Sequence, residues 1–434
     1  MADAFTNRGD LVASQLAQLR TLVSAILPAN RFYREKLSGL GIDETISSLA
    51  DFSGRFPFTT KQELVADQLA HPPYGTNLTF PLECYTRFHQ TSGTTGTPLR
   101  WLDTPETWNG MVESWTTIFR AAGVDAHDRI LFAFSFGPFL GFWLAFEAGQ
   151  KIGALCLPGG GLGSAARLRI ILENEATMIC CTPTYAVRLG EVAAAEKISL
   201  RDSKVKKIIV GGEPGGSVPL VRARIEQLWP GARVVDHHGM TEVGPVTFQC
   251  PTQPGVLHVI ESAYFPEIIN PSTGEAVQPG KIGELVLTTL GRSASPLLRY
   301  RTGDQVRSSA SPDGSLLTPC ACGRVEFPLA GGILGRVDDM IVVRGVNIFP
   351  SAVEEIIRGF SDIAEFQVKI AQANALTELF VLIEPAGDRV NASDLSRRVE
   401  KALQTAFNLR IPVAVAPAGT LPRFEMKAQR WVRE

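Results

Sequence analysis

The sequence predicts an α/β protein with a large N-terminal domain of mainly parallel sheets and crossover helices, followed by a small C-terminal α+β domain. Three observations support this prediction. The chain has 434 residues, 45% of them hydrophobic, which is enough to bury a large core in more than one domain. Short apolar runs alternate with helix-like stretches over most of the chain. Near Gly335 the pattern changes, so we expect domains at 1–335 and 336–434.

Alternating elements define the N-terminal domain. The helix-like stretches are 165–175, 185–196 and 219–228, and the short apolar runs typical of strands are 178–181, 207–210 and 232–235. Polar turns follow the last two strands, namely Gly211-Gly212-Glu213-Pro214 and Asp236-His237-His238-Gly239. Ligands gather at the carboxyl ends of parallel strands, so we expect these turns to border a binding site.

An uncharged run at 130–146 is close to the shortest helix that can span a membrane. Pro138 and its neighbouring glycines interrupt the run, and charged residues flank it tightly. This pattern favours a buried strand, a turn and the start of a core helix, with a membrane span as the alternative.

The C-terminal domain is predicted from a second group of elements. Strand-like runs lie at 340–343, 365–370 and 379–383, and helix-like stretches lie at 353–358 and 392–407.

Charge and the N-terminus indicate the compartment. The net charge of −2 and the pI near 6.4 provide no general attraction to nucleic acid or to an anionic membrane. Residues 1–8 lack the apolar core of a signal peptide. We therefore expect a cytoplasmic protein whose seven cysteines are mostly reduced thiols.

A hydroxyl-rich glycine loop occupies 91–98, with the sequence Thr91-Ser92-Gly93-Thr94-Thr95-Gly96-Thr97-Pro98. Its glycines let the backbone approach an anion, and its hydroxyl groups add hydrogen-bond donors, so it suits polyphosphate. It is not a Walker A loop, because Leu99-Arg100 follow in place of Lys-Ser/Thr. An ordinary surface loop is the alternative when this segment is taken alone.

Three further motifs follow this loop in order. They are Gly239-Met240-Thr241-Glu242, then Tyr300-Arg301-Thr302-Gly303-Asp304, then Gly335-Arg336-Val337-Asp338-Asp339 with Arg344-Gly345. With these motifs the chain resembles the adenylate-forming enzymes from about residue 80 to its end. The segments 344–350 and 421–430 are most similar to the phenylacetate-CoA ligase-like branch, which also lacks the usual lysine after the loop.

The resemblance implies a nucleotide site. The loop residues Ser92, Gly93, Thr94, Thr95, Gly96 and Thr97 would hold the β- and γ-phosphates of ATP. Thr241 would contact the α-phosphate, and Glu242 would hold Mg²⁺, a hard cation that prefers oxygen ligands. Asp304 would accept hydrogen bonds from the ribose, with Arg336 supporting the nucleotide. The remaining nucleotide contacts would come from Gly212, Glu213, Pro214, Asp236, His237, His238, Gly239 and Met240. The family usually has Tyr or Phe where this chain has His238.

The resemblance also assigns roles near the C-terminus. Lys427 would bond the carboxylate and the α-phosphate during adenylation, which needs charge neutralisation and no general base. Asp338 would be the hinge of a mobile C-terminal domain. Arg344 and Gly345 would then face the channel for coenzyme A.

Cysteine spacing raises a separate hypothesis. Cys250, His258, Cys320 and Cys322 supply the three thiols and one imidazole of a tetrahedral structural zinc site. Four such groups without a metal are the alternative. The other cysteines, including Cys84, are interpreted as small core residues.

The acyl pocket is predicted to be aromatic and poor in charge. Its candidates are Phe134, Phe136, Gly137, Phe139, Ala186, Gly211, Gly212, His237, Gly239 and Met240. No acidic residue lies between Asp128 and Glu147 to bind the ammonium of an amino acid, which favours an aryl acid. Phenylacetate, benzoate and aminobenzoates such as anthranilate stay open, with His237 able to hydrogen-bond a ring substituent.

These observations predict an ATP- and Mg²⁺-dependent aryl-CoA ligase that works through an aryl-adenylate. An acyl carrier protein in place of coenzyme A is one alternative, and a non-catalytic nucleotide- or acyl-binding protein is another. Intact Glu242, Asp304 and Lys427 argue against the second alternative. A homodimer is left open.

Overall fold

The computed structural model describes residues 5–42, 45–91, 98–337, 341–344, 346–373, 376–387, 390–424 and 429–433. Four helices open the chain, followed by a two-stranded antiparallel hairpin and a long helix. They are α1 (Arg8–Ala29), α2 (Arg31–Leu37), α3 (Leu49–Arg55), α4 (Lys61–Ala70), β1 (Arg87–Gln90), β2 (Arg100–Asp103) and α5 (Pro105–Ala121). Thr60 and Thr104 begin α4 and α5 with capping boxes, which satisfy the first free backbone N–H groups of each helix.

A five-stranded parallel sheet forms the centre of the N-terminal region, with strands in the order β4-β3-β5-β6-β7. Its elements are β3 (Arg129–Phe132), α6 (Leu140–Ile152), β4 (Leu155–Pro158), α7 (Ser164–Glu173), β5 (Met178–Cys181), α8 (Pro183–Ala195), β6 (Lys207–Val210), α9 (Pro219–Leu228) and β7 (Arg233–Asp236). All four residues of β5 are buried, because helices cover both faces of the sheet. The predicted parallel sheet with crossover helices is confirmed.

Antiparallel strands follow β7 and add two sheets that the sequence pattern did not resolve, in the orders β10-β11-β15 and β12-β13-β14-β16. These strands, with the short β8–β9 pair, are β8 (Gly239–Met240), β9 (Gly244–Pro245), β10 (Thr247–Gln249), β11 (Val256–Val259), β12 (Tyr264–Ile269), β13 (Ile282–Thr289), β14 (Tyr300–Arg307), β15 (Pro328–Ala330) and β16 (Gly335–Arg336). Asp304 pairs with Arg336 in register across β14 and β16, which brings two predicted nucleotide residues side by side.

The C-terminal region has its own mixed sheet, in the order β21-β20-β19-β22. Its elements are β17 (Ile341–Val343), β18 (Val346–Ile348), α10 (Pro350–Arg358), β19 (Ile363–Ala373), β20 (Leu376–Pro385), α11 (Ala392–Phe407), β21 (Val413–Val415) and β22 (Trp431–Arg433). A separate hydrophobic cluster stabilises this region, with Val368, Val381 and Leu395 fully buried at its centre. The predicted α+β character of this region is confirmed.

Two individual expectations have clear outcomes. The uncharged run at 130–146 contains β3, a turn and the start of α6, as predicted. Cys84 is exposed, so its interpretation as a core residue was wrong; it lies in a short 3₁₀ turn none of whose residues is buried.

Within the described residues, only α1 is long and apolar enough to span a membrane, judged by length and composition. Leu19, Val23 and Ile26 of that helix pack into the main core, as in a soluble protein.

Candidate active site

Two turns at the carboxyl edge of the parallel sheet form the floor of the site. Gly211 follows β6, and Asp236 ends β7 and precedes His237. A Cβ atom added to Gly211 would lie 2.5 Å from Nε2 of His237, so only glycine permits this approach. The structure therefore brings together the two turns that follow β6 and β7 at this edge of the sheet.

His237 is a neutral imidazole in an apolar setting. Its ring packs edge-to-face on Trp115 with centroids 4.4 Å apart, and burial lowers the pKa of His237 to about 3. Nδ1 of His237 is buried and has no hydrogen-bond partner among the described residues. Such an atom is expected to be satisfied by a ligand.

Asp236 lies beneath this floor with its carboxyl group already engaged. The hydroxyl of Ser217 donates to Oδ2 of Asp236 over 2.5 Å, and Oε1 of Gln249 accepts a bond from the Asp236 backbone N–H over 3.1 Å. Burial raises the pKa of Asp236 to about 6. These contacts favour a supporting role for Asp236 beside the nucleotide.

A second polar group lies where β14 meets β16. Nη1 of Arg336 donates to Oδ1 of Asp304 over 3.2 Å, and Nε2 of His238 lies 3.1 Å from Oδ2 of the same carboxylate. Neither Nε2 of His238 nor Oδ2 of Asp304 has the geometry of a hydrogen bond to any described group. Asp304 is 4% exposed, so this buried oxygen is suited to accept a hydrogen bond from a hydroxyl group of a ligand.

Thr241 and Glu242 lie in the tight connection between β8, which contains Gly239 and Met240, and β9. The Glu242 side chain is 6% exposed and faces Lys61, the first residue of α4, with Nζ of Lys61 3.2 Å from Oε1. The sequence analysis missed Lys61. No sequence signal links a lysine at a helix start to a carboxylate so far along the chain.

Aromatic side chains surround the turn between β3 and α6. Phe134 stacks on Phe142 with centroids 4.0 Å apart, and Phe136 meets Trp143 edge-to-face at 5.0 Å. Nε1 of Trp143 donates to the Gly137 carbonyl over 3.0 Å, which holds the turn. Phe136, Gly137 and Phe139 are only partly buried, as a wall that meets a ligand would be.

Ala186 lies elsewhere than in that wall. It belongs to the core shared by α8 and α9, and its carbonyl accepts a bond from Trp229 over 3.0 Å. The start of the same helix is held by Glu213, whose Oε1 accepts from the Thr184 N–H over 2.8 Å. Gly212, with φ of +87°, provides the turn that places Glu213 and Pro214 there.

A stack of side chains lies just before the glycine loop and was not predicted from the sequence. His89 stacks on Trp108 with centroids 5.0 Å apart, and the guanidinium of Arg87 lies 4.6 Å from the same ring. Glu147 accepts from Trp108 Nε1 over 2.6 Å and pairs with Arg87 at 2.8 Å. Burial lowers the pKa of His89 to about 4, so this imidazole is neutral.

Several predicted residues lie outside the described part of the chain, namely Ser92, Gly93, Thr94, Thr95, Gly96, Thr97, Asp338, Gly345 and Lys427. Arg344 is described, with φ of +50° and its Nε 2.7 Å from Oε1 of Glu378.

Two ion pairs fix the chain on either side of Lys427. Before it, Arg423 pairs with Glu384 of β20. After it, Arg430 pairs with Glu365 of β19 at 2.6 Å, and Nη1 of Arg430 reaches Oγ1 of Thr184 over 3.4 Å. The second contact links the C-terminal region to the start of α8.

Cys250, His258, Cys320 and Cys322 converge as predicted, with their four ligand atoms within 4.8 Å of one another. Sγ of Cys250 lies 3.9 Å from Sγ of Cys320, and Sγ of Cys322 lies 3.4 Å from Nε2 of His258. Zinc bond lengths in a tetrahedron give edges of about 3.8 Å for S–S and about 3.5 Å for S–N. Nδ1 of His258 lies 3.1 Å from the Glu326 carbonyl, which leaves Nε2 as the metal-binding nitrogen.

Family models match two parts of the chain. The AMP-binding enzyme model covers residues 88–291, and the AMP-binding enzyme C-terminal domain model covers residues 345–434. The first match includes the glycine loop and Thr241–Glu242, and the second includes Lys427.

Curated relatives extend the similarity to nearly the whole chain. The phenylacetate-coenzyme A ligase of Escherichia coli (strain K12) is 30% identical, over 97% of this chain and 94% of that protein. The phenylacetate-coenzyme A ligase of Aromatoleum evansii is 33% identical, over 81% of this chain and 76% of that protein.

A solved structure agrees with this similarity. That of 2-hydroxyisobutyryl-CoA ligase in the postadenylation state, bound to an acyl-AMP, is 26% identical and has a TM-score of 0.90, covering 99% of this chain and 91% of that one. The same ligase with CoA in the thioesterification state gives a TM-score of 0.73. The chain thus belongs to the AMP-binding, adenylate-forming enzymes and, within them, to the phenylacetate-coenzyme A ligase family.

Proposed function

We propose that this protein joins an aromatic carboxylic acid to coenzyme A in two steps, using ATP and Mg²⁺. In the first step a carboxylate oxygen of the acid bonds to the α-phosphorus of ATP, and pyrophosphate leaves. In the second the CoA sulfur loses its proton and bonds to the acyl carbon, and AMP leaves. The observation that carries the proposal is that Asp304, paired with Arg336, lies 3.1 Å from His238 in the turn after β7 that leads to Thr241–Glu242, in a chain of this family.

The nucleotide fits the unsatisfied atoms of the site. Oδ2 of Asp304 is buried without a hydrogen bond, and a ribose hydroxyl is a suitable donor to it. His238, where the family usually has Tyr or Phe, would offer its flat imidazole face to adenine. Gly212, Glu213 and Pro214 would border the base on the other side.

The phosphates would lie between the glycine loop and Thr241–Glu242. Glu242 is a largely buried carboxylate, a ligand type that Mg²⁺ accepts, and bound Mg²⁺ would neutralise phosphate charge. Loop residues 92–97 would hold the β- and γ-phosphates, and Thr241 the α-phosphate. Lys427 would bond the carboxylate and the α-phosphate, so that opposite charge draws the two anions together.

The acyl group would lie against the aromatic wall. Phe136 and Phe139 offer apolar surface, and Nδ1 of His237 is a neutral polar atom without a described partner. This combination suits a benzene ring that carries one polar substituent, such as anthranilate or a hydroxybenzoate. Unsubstituted phenylacetate, which the family relatives' names indicate for those proteins, is the competing substrate.

The second step would need a different arrangement of the C-terminal domain. We place the boundary between the domains at residues 335 and 336, with Asp338 as the hinge. Rotation would withdraw Lys427 and bring Arg344 and Gly345 to the channel for CoA. A carrier-protein phosphopantetheine in place of CoA is the alternative acceptor.

One experiment tests both steps. The protein is incubated with ATP, Mg²⁺, CoA and a pool of phenylacetate, benzoate, hydroxybenzoates and anthranilate, and the products are identified by mass spectrometry. An aryl-CoA supports the proposal and identifies the acid. An aryl-AMP without thioester indicates a carrier-protein acceptor. The absence of any acyl-AMP or acyl-CoA would contradict the proposal.

We also propose that Cys250, His258, Cys320 and Cys322 hold a structural zinc ion. The Cys250–Cys320 and Cys322–His258 distances fit the edges of a closed tetrahedral site, which leaves no open position for chemistry. Elemental analysis should give about one zinc per chain. Cys322→Ser should lose the metal and lower the melting temperature, whereas Cys84→Ser, at an exposed thiol, should change neither. A folded protein purified without zinc, with a melting temperature indifferent to added zinc, would refute this site.

We place the enzyme in the cytoplasm, where cysteines such as Cys180 and Cys181, buried here as thiols, stay reduced. Sedimentation equilibrium of the purified protein would decide between a monomer and a homodimer.

A further inference from the structure

A buried ion pair joins Asp103, at the end of β2, to Arg292, which lies shortly after β13. Nε of Arg292 donates to Oδ1 of Asp103 over 2.7 Å, and Nη2 donates to Oδ2 over 2.5 Å. The Arg292 side chain is 3% exposed and that of Asp103 is 0% exposed. Desolvation offsets much of the attraction in such a pair, so stability alone is a weak explanation for it.

The same guanidinium holds the turn that carries the phosphate-site residues. Nη1 of Arg292 donates to the carbonyl of Thr241 and to the carbonyl of Glu242, each over 2.9 Å. The guanidinium also lies 5.4 Å from the Trp101 ring centroid. Because a guanidinium is planar and rigid, these bonds fix the direction of the Thr241–Glu242 turn relative to Asp103.

Asp103 connects this arrangement to the β1–β2 hairpin, at the end opposite the glycine loop. It is the last residue of β2, in register with Arg87 of β1, and the loop at 92–97 joins these two strands. Oδ1 of Asp103 also accepts from the Thr107 hydroxyl over 3.2 Å, which fixes the carboxylate to the start of α5. Arg292 therefore has one side on the hairpin that carries the loop and the other on the turn that carries Glu242.

We propose that the Asp103–Arg292 pair positions the Thr241–Glu242 turn against the β1–β2 hairpin and determines the rate of adenylation more than the rate of thioester formation. The proposal rests on the function proposed above. Adenylation holds ATP with three phosphates and Mg²⁺ at Glu242, whereas in thioester formation pyrophosphate has left. The position of the Thr241–Glu242 turn therefore matters less in the second step. Displacing a reacting group by about 1 Å can reduce a rate by about 10²-fold.

The two half-reactions separate positioning from general damage. Adenylation is measured by exchange of labelled pyrophosphate into ATP with the acid that the wild type converts. Thioester formation is measured with the chemically prepared acyl-adenylate of the same acid and CoA. Arg292→Lys keeps the charge and loses the fork, and Asp103→Asn keeps the shape and loses the charge. Arg299→Lys is the matched control, since Arg299 forms a similarly buried pair with Glu267 at 2.9 Å.

We expect Arg292→Lys to lower adenylation about 10²-fold and thioester formation less than about tenfold, with a higher Mg²⁺ concentration needed for half-maximal exchange. Asp103→Asn should also lower adenylation more than thioester formation, with a smaller loss in each. This variant provides the test if Arg292→Lys does not fold. Arg299→Lys should affect both half-reactions equally. Equal losses in both half-reactions for the folded Arg292 or Asp103 variant would overturn the proposal. A wild type inactive in both assays would instead refute the proposed function.

Discussion

The ammonium group of Lys61 lies 3.2 Å from the carboxylate of Glu242, and the lysine belongs to a helix that precedes the glycine loop in the chain. Glu242 is the expected Mg²⁺ ligand. In this arrangement Lys61 neutralises a largely buried carboxylate, and its side chain remains 40% exposed. Since Leu99-Arg100 follow the loop where adenylate-forming enzymes outside the phenylacetate-CoA ligase branch usually have a lysine, Lys61 is a candidate for the missing positive charge near the phosphates.

Lys61→Met should raise KM for MgATP about tenfold and leave KM for the acid unchanged, because only the nucleotide carries the phosphates. A tenfold change corresponds to about 1.4 kcal/mol, close to the contribution of one hydrogen bond to a charged group. Initial rates at varied MgATP provide the test. Lys151→Met is the control, at an exposed lysine paired with Glu113. An unchanged KM for MgATP would show that Lys61 does not interact with the phosphates.

Lys427→Ala should lower the adenylation rate by about 10²- to 10³-fold, because a cation aimed at developing phosphate charge contributes on this scale. Binding of ATP, measured by calorimetry without the acid, should change little. Lys401→Ala, on the exposed face of α11, is the control and should be indistinguishable from the wild type. Undiminished pyrophosphate exchange in Lys427→Ala would contradict the assigned role.

His237→Phe should raise KM for anthranilate or a hydroxybenzoate about fivefold to tenfold and leave KM for benzoate unchanged, since one neutral hydrogen bond contributes about 1 kcal/mol. Because burial lowers the pKa of His237 to about 3, the imidazole stays neutral from pH 6 to 9 and this difference should not vary over that range. Equal changes for benzoate and for its substituted analogues would indicate a packing role only.

The raised pKa of Asp236 makes a prediction about stability and pH. In the unfolded chain the carboxyl ionises near its usual value of 3.8, whereas in the folded protein it ionises at about 6. The folded protein therefore holds an extra proton between these values, and this group's contribution to stability falls as pH rises through that window. Between pH 4 and pH 7 the free energy of unfolding of Asp236→Asn should rise relative to that of the wild type by on the order of 2–3 kcal/mol. Urea unfolding at both pH values measures it, and a pH-independent difference would contradict the shift.

The sequence predicted the parallel sheet closely, because strands buried on both faces form continuous apolar runs. The strand predicted at 207–210 coincides with β6, and that predicted at 178–181 coincides with β5. Strand β14 escaped prediction, because buried residues alternate in it with Arg301, Gly303 and Gln305, whose polarity or size hides the pattern. The predicted strand at 365–370 was shorter than β19 (Ile363–Ala373) for a similar reason.

The site was predicted where a motif is continuous in sequence and missed where it is not. Short motifs pointed to Glu242 and Asp304, and cysteine spacing pointed to Cys250, His258, Cys320 and Cys322, whose side chains converge. Arg292 could not be found this way, because its partner Asp103 lies 189 positions away and neither residue belongs to a recognisable pattern. Lys61 and His89 escaped for the same reason, since burial and contact, rather than spacing, distinguish them.

The two ion pairs on either side of Lys427 limit the reach of that residue. Arg430, three residues later, is held to Glu365 and to Thr184. Three residues of extended chain span at most about 11 Å, so the backbone of Lys427 stays within that radius of the Arg430 backbone. A loop this short cannot deliver a side chain on its own. In the rotation proposed above, Lys427 would therefore move together with the sheet that contains β19 and β22, and a compound that fastens Arg430 to the start of α8 would hold the enzyme at one stage of its cycle.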